Sequence, residues 1–166
     1  MELLDIYNDN GKITGKVVER GKNNISFEKG EHIAVSIIFI QNSNDEFLIQ
    51  KTSKQKGEKF SSTGGHVLHN EKPIDAVKRE VKEELGIDIS NDNVIDLGYT
   101  IFDFPIRFLF YLKKDINLKD IALQLNEVES ISYMSIKKIK DIINNGLMLE
   151  THTKLFKEVL KYIKTK

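Results

Sequence analysis

The sequence predicts an α/β fold, and three observations carry that reading. Ile33–Ile40 is a run of β-branched and apolar residues, apolar at both parities, as suits a strand covered on both faces. Phe104–Leu112 sets Phe104, Ile106, Phe108 and Phe110 on one side and Arg107, Leu109 and Tyr111 on the other, so it too reads as a central strand. Between them, Ile74, Val77, Val81 and Leu85 recur at helical spacing and form one apolar stripe. A stripe of that kind packs on a sheet.

The remaining elements follow in order. Residues 1–20 read as a hairpin: Leu3–Tyr7, a turn at Asn10-Gly11, then Ile13–Val18. The NDNG turn lacks the acidic spacing and terminal glutamate of a calcium loop. After the Ile33–Ile40 strand, Asn42–Glu46 is a turn and Phe47–Lys51 a returning strand. Thr52–Phe60 is polar and lysine-rich and reads as a mobile loop. Pro73 belongs in a first helical turn, where its missing N–H costs little, and Gly86 stops that helix. A strand is expected near Val94–Ile101, a connector at Asp115–Asp120 and a short strand at Ser130–Met134. Ile136, Ile139, Ile142 and Ile143 mark a helix ending at Gly146. Leu155, Phe156, Val159 and Ile163 mark a closing helix.

Composition limits the function classes. The 166 residues suffice for one domain, 1–166, with the hairpin part of it. Lys plus Arg equals Asp plus Glu at 25 each, which argues against a general electrostatic binder of nucleic acid. The chain has no cysteine, so it has no disulfide, thiolate metal site or cysteine nucleophile. It shows no long apolar run and no signal-peptide pattern, so a cytoplasmic protein without a membrane partner is expected. Oligomeric state is not specified, and a homodimer is compatible with the sequence.

The chemistry lies in Gly65–Ile87. On a helix, Glu80, Glu83 and Glu84 stand at i, i+3 and i+4 and share one face. Like charges so close repel unless a cation sits among them. Oxygen ligands without cysteine suit a hard divalent ion, magnesium or manganese. The glycine pair Gly64-Gly65 permits geometry that side chains would block, and lets a carbonyl approach a metal closely. Arg79, one turn before Glu83, can orient carboxylates through its forked donors.

These residues match G-x5-E-x7-R-E-U-x-E-E-x-G-U, with U apolar, at Gly65, Glu71, Arg79, Glu80, Val81, Glu83, Glu84, Gly86 and Ile87. The chain thereby resembles the Nudix hydrolases, which cleave nucleoside diphosphates linked to another moiety. The resemblance extends to the element order and implies an α/β/α sandwich, a mixed sheet between helices. It implies hydrolysis of a small-molecule diphosphate with magnesium or manganese. Glu80, Glu83 and Glu84 are then the metal ligands, joined by the carbonyl of Gly64 or Gly65, while Arg79 and Glu71 support the carboxylates. The general base stays open between Glu83 and Glu127, with Glu129 a weaker candidate.

The segments LLDIYNDNGKITG, EHIAVSIIFI, FLIQK and GGH also look like the branch related to isopentenyl-diphosphate isomerase. In that enzyme, histidines matching His32 and His66 and an acid matching Glu127 help bind a metal. It also needs a cysteine where Gly64 stands, so hydrolysis is expected here. The alternatives are isomerase-like activity and a Nudix-fold sensor that binds a nucleotide without cleaving it. Many relatives carry arginine at Thr52 and glycine at Asn70. Lys51, Lys54, Lys56 and Lys59 are candidates to meet phosphates, and Phe60, Tyr99 and Phe102 to stack on a base, against the commoner roles of solvated loop and core.

Overall fold

A computed structural model describes residues 1–22 and 25–166. The N-terminal hairpin pairs β1 (Leu3–Tyr7) with β2 (Ile13–Glu19). Asn8 closes its turn by accepting the Asn10 and Lys12 N–H groups on Oδ1. The main sheet contains β3 (Ala34–Gln41), β4 (Phe47–Thr52), β5 (Phe60–Ser61), β6 (Thr63–His66), β7 (Ile95–Ile101), β8 (Ile106–Lys113) and β9 (Val128–Met134). The helices are α1 (Pro73–Leu85), α2 (Ile136–Asn144) and α3 (Glu150–Lys164).

The sheet is mixed. β3 runs parallel to β8 from Ala34↔Ile106 to Gln41↔Lys113, and the other pairings are antiparallel. The order β5-β4-β3-β8-β7 leaves β3 and β8 in the interior, with β6 on β3 and β9 on β4. Strand parity then divides the core in two. Ala34, Ile38 and Ile40 of β3 and Ile106, Phe108, Phe110 and Leu112 of β8 pack with Ala76, Val77, Val81 and Leu85 of α1. Ile37, Phe39, Leu109 and Tyr111 pack on the opposite face with Ile139, Ile142, Leu155, Phe156 and Val159 of α2 and α3. Each fully buried aliphatic side chain in these layers contributes roughly 1.5–3 kcal/mol. The architecture is the expected α/β/α sandwich.

The segment expected to be a loop between Thr52 and Phe60 instead holds a 3₁₀ turn at Lys54–Lys56, and its ends close on themselves. The Thr52 N–H donates to the Lys59 carbonyl at 2.8 Å, and the Thr52 hydroxyl accepts the Lys59 N–H at 3.0 Å. β5 and β6 lack a sequence signal because glycine and polar residues are poor strand formers. β6 forms because it can approach β3 closely. A Cβ on Gly64 would overlap the Ser36 carbonyl and the Ile37 side chain. Any side chain there forces the two strands apart. Gly64→Ala is therefore expected to cost about 1–3 kcal/mol, read as a lower urea midpoint at unchanged m-value.

Between β5 and β6, Ser62 donates its backbone N–H to Nδ1 of His152 in α3 at 3.1 Å. That nitrogen accepts only when unprotonated, and burial pushes the imidazole down to about 4. The folded state therefore refuses a proton that the unfolded chain takes up below 6.5, the ordinary histidine value. Stability falls as pH drops from 6.5 towards 4, and no further loss from this group follows below that window. With the ring partly exposed, the expected loss between pH 7.5 and pH 5 is about 1–2 kcal/mol in urea melts. A His152→Gln variant is expected to flatten that slope.

Candidate active site

The helix that carries the acidic residues is held at both ends. Pro73 occupies its first turn, as expected. Gly86 caps it in the left-handed conformation at φ 70°, returning its N–H to the Lys82 carbonyl. The next free carbonyls are taken by the segment before β9: Ala122 N–H donates to Leu85 (2.8 Å) and Gln124 N–H to Glu84 (3.1 Å). That docking brings Gln124 and Glu127 over the end of α1.

A cleft of about 380 Å³ opens there, lined by Glu2, Arg20, Lys56, Gly64, Gly65, His66, Glu80, Glu83, Glu84, Gln124 and Glu127. Five of these are glutamates and two carry fixed positive charge. Sequence reasoning singled out Gly64, Gly65, His66, Glu80, Glu83, Glu84, Glu127 and, among the loop lysines, Lys56. It missed Glu2, Arg20 and Gln124. Arg20 follows a short strand in the hairpin, and no local pattern signals that the end of the hairpin reaches the cleft.

Arg79 organises the acidic face. Its Nε and Nη2 donate to both oxygens of Glu71 at 2.8 and 3.0 Å, and Nη2 also reaches the His66 carbonyl at 2.9 Å. Nη1 donates to Glu80 at 2.9 Å and Glu83 at 3.2 Å. Its Glu71 partner above all holds the guanidinium charged far above neutral pH. Glu71 lies outside the cleft and also accepts the Leu68 N–H at 3.0 Å. Arg79 draws Glu80 and Glu83 to itself in this arrangement. Among the described residues, no three acidic or histidine side chains converge on one point.

Glu84 is the exception on the helix. It is 8% exposed, and its Oε2 is buried with no hydrogen-bond partner among the described residues. Burial pushes its carboxyl up to about 8, with Glu80 and Glu127 adding repulsion; Gln50 and the Gly64 backbone pull the other way. Glu80 is also raised, chiefly by burial, against the pull of Arg79. A buried carboxylate oxygen without a donor, beside a second carboxylate, is what a hard cation would complete.

The two glycines act by space. A Cβ on Gly65 would overlap the Glu80 carboxylate, so its absence makes room for that group. The β3–β6 ladder separates the backbone roles. Val67 N–H donates to the Ala34 carbonyl, so ladder bonds fall at 34/67, 36/65 and 38/63. Gly64 lies between them, so its N–H and C=O turn away from β3.

Other expected residues lie elsewhere. Both ring nitrogens of His32 are engaged, Nδ1 with the Phe104 carbonyl at 2.7 Å and Nε2 with Asp9 at 2.6 Å, and the residue does not line the cleft. Glu129 points outward on β9, 3.6 Å from Lys51. Lys56 lies 3.1 Å from Glu127, while Lys59 donates to the Gly146 carbonyl at 2.7 Å. His66 is pushed below the ordinary histidine range by burial and by Arg20. Phe60 packs in the α2/α3 core, Phe102 lies against Arg107 and Lys154, and Tyr99 packs on Phe108. None of the three faces the cleft. Asn70, where many relatives have glycine, adopts φ 66°, a conformation asparagine tolerates, and donates its N–H to Asp5 at 2.9 Å. The departure preserves the backbone.

The NUDIX domain family model matches residues 30–157. An uncharacterized Nudix hydrolase of Listeria innocua is 31% identical over 156 residues, covering 88% of this chain and 87% of that protein. The 8-oxo-dGTP diphosphatase of Proteus vulgaris is 34% identical over 83 residues, 49% of this chain and 71% of that protein. A crystal structure from Deinococcus radiodurans superposes with a TM-score of 0.77 at 19% identity, covering 94% of this chain and 98% of that one. Among the described residues no helix is long and apolar enough to cross a membrane. By its matched domain and its Listeria relative, this chain belongs to the Nudix hydrolase family.

Proposed function

We propose that the protein hydrolyses a pyrophosphate linkage in a nucleoside diphosphate derivative or related organic diphosphate, using magnesium or manganese. The observation that carries the reading is Glu84: a buried carboxylate with an unpartnered oxygen, in a cleft with four other glutamates. A phosphate chain is itself anionic, so this cleft would repel it without a cation to stand between them. Glu80, Glu83 and Glu84 would hold the ion, with the Gly64 carbonyl, whose C=O faces away from β3. Bound there, the ion would neutralise phosphate oxygens and acidify a water.

The chain's own groups supply the rest. Arg79 and Glu71 fix the approach of Glu80 and Glu83. Glu127 is the general base in this reading: it lies across the cleft, and its partner is Lys56 rather than Arg79. It takes the proton as water attacks one phosphorus and the P–O bond to the bridging oxygen breaks, the departing phosphate carrying that oxygen away. Arg20 and Lys56 offset charge on the phosphate chain. Proximity of a phosphoprotein or nucleic acid is not required, and the reading is of a small-molecule enzyme. Hydrolysis is favoured over isomerisation because the cysteine an isomerase needs would stand at Gly64, where a Cβ overlaps the Ser36 carbonyl.

A metal-supplemented screen of diphosphates, with phosphate release read after a coupled phosphatase, tests the activity. Glu84→Gln is expected to keep the fold and lower turnover by at least about a hundredfold; normal turnover at subsaturating magnesium would reject the assignment. Glu127→Gln is expected to lower kcat by about 10²–10⁴ with manganese affinity retained, whereas Glu83→Gln weakens manganese binding. The reverse pattern would move the base to Glu83.

A further inference from the structure

Ser53 joins two segments at the rim of the cleft: the loop after β4, which carries Lys56, and the turn before β9, which carries Glu127. It stands just before the 3₁₀ turn at Lys54–Lys56, the position from which a serine hydroxyl ordinarily accepts a backbone N–H of the turn it precedes. Here it makes no such bond. The hydroxyl instead donates to the Asn126 carbonyl at 3.0 Å, and the Ser53 N–H donates to the Glu127 carbonyl at 3.2 Å. The Ser53 carbonyl accepts the Lys56 and Glu58 N–H groups at 2.9 and 3.2 Å. The residue is buried. The sheet ladder does not supply this tie: the β4–β9 register shifts between Lys51 and Thr52, and its last pair is Thr52↔Val128.

We propose that Ser53 is a positioning residue that holds Glu127 at the cleft, its hydroxyl and N–H fixing the backbone on which the glutamate stands. The proposal rests on the reading of Glu127 as general base and adds what keeps that base in place. The turn has little else to hold it. Gln124, Leu125 and Asn126 are exposed. Its internal bonds run from the Glu127 and Val128 N–H groups to the Gln124 carbonyl, and only its Gln124 end is fastened to α1. The Glu127 side chain has Lys56 as partner, but the two side chains are 35% and 49% exposed, and a pair so open to water is a weak restraint. In the reading above that lysine also offsets charge on the phosphate chain, which draws it from the glutamate when substrate binds. The restraint that persists then acts on the backbone. Water would satisfy a carbonyl on an exposed turn; a buried hydroxyl diverted from its own cap to reach it fixes a position as well.

The test joins amide hydrogen exchange, resolved by NMR on the full chain in magnesium, to kinetics on the diphosphate cleaved fastest in the screen above. Ser53→Ala is expected to speed exchange of the Glu127 and Val128 amides at least about fivefold, while the amides of Val77 and Val81 in α1 stay within about twofold. The same variant is expected to lower kcat about tenfold, with KM and manganese affinity within about twofold of the natural chain. Added to Glu127→Gln, it is expected to change kcat by less than about twofold, because the residue it acts through is already disabled. Rates are expressed per manganese site titrated in the same preparation, so misfolded protein does not enter them. Unchanged exchange at Glu127 and Val128, an equal loss of kcat in both backgrounds, or a loss confined to KM overturns the proposal. Faster exchange in Ser53→Ala together with natural kcat in Glu127→Gln, or with no diphosphate cleaved at all, would instead reject the base or the hydrolase reading and leave the tether assigned.

Discussion

The Arg79 guanidinium is the interaction on which the site depends. It has five N–H donors, and the structure gives it five bonds: two to Glu71, one each to Glu80 and Glu83, and one to the His66 carbonyl. One planar group thus ties the helix to β6 and to the loop between them. Lysine, a point charge with three donors, could not reproduce that set. The arrangement also explains how one short helix carries so much negative charge. Glu80 and Glu83 are offset by the arginine, while Glu84, on the buried side, is not.

Glu84 is accordingly where the molecule departs from good packing practice. A carboxylate pushed up to about 8 by burial and like charge is a cost to folding. Such local conflicts tend to occur at functional positions, where the surrounding structure overrules them. Here that structure consists of two backbone contacts. The glycine pair lets β6 approach both β3 and the Glu80 carboxylate, and the segment through Ala122 and Gln124 satisfies the end of α1. The first contact sets the floor of the cleft and the second sets the position of Glu127. The acidic groups are therefore brought together by the backbone, with few direct bonds among themselves.

Much of this was legible in the sequence, for reasons that differ by residue. α1, α2 and α3 repeat apolar residues at helical spacing, and β3 and β8 are apolar at both parities; each of these signals is local. The carboxylates, Arg79 and Glu71 form a fixed pattern within one short segment. β5 and β6 were not legible, because Thr63-Gly64-Gly65-His66 has no strand preference of its own and pairs only because β3 accepts a close neighbour. Arg20 was missed because it reaches the cleft only through the placement of the hairpin, which leaves no periodic trace. Phe60, Tyr99 and Phe102 were aromatic near the right segments but face the other layer or the far edge of the sheet. His152 gave no signal at all, since its partner Ser62 lies far away along the chain.

The single parallel pairing in the sheet has a consequence for biogenesis. β3 is almost entirely buried and largely apolar, and its long-range neighbour β8 lies on the far side of α1 and β7 in chain order. As the nascent polypeptide leaves the ribosome, the hairpin and β4 can close at once, but one edge of β3 stays unpaired until β8 has been synthesised. Closure of the sheet is thus a late, non-local event, and the half-made chain displays a sticky strand meanwhile. A helper that shields that edge during translation would act on the interval between the two strands rather than on the finished enzyme.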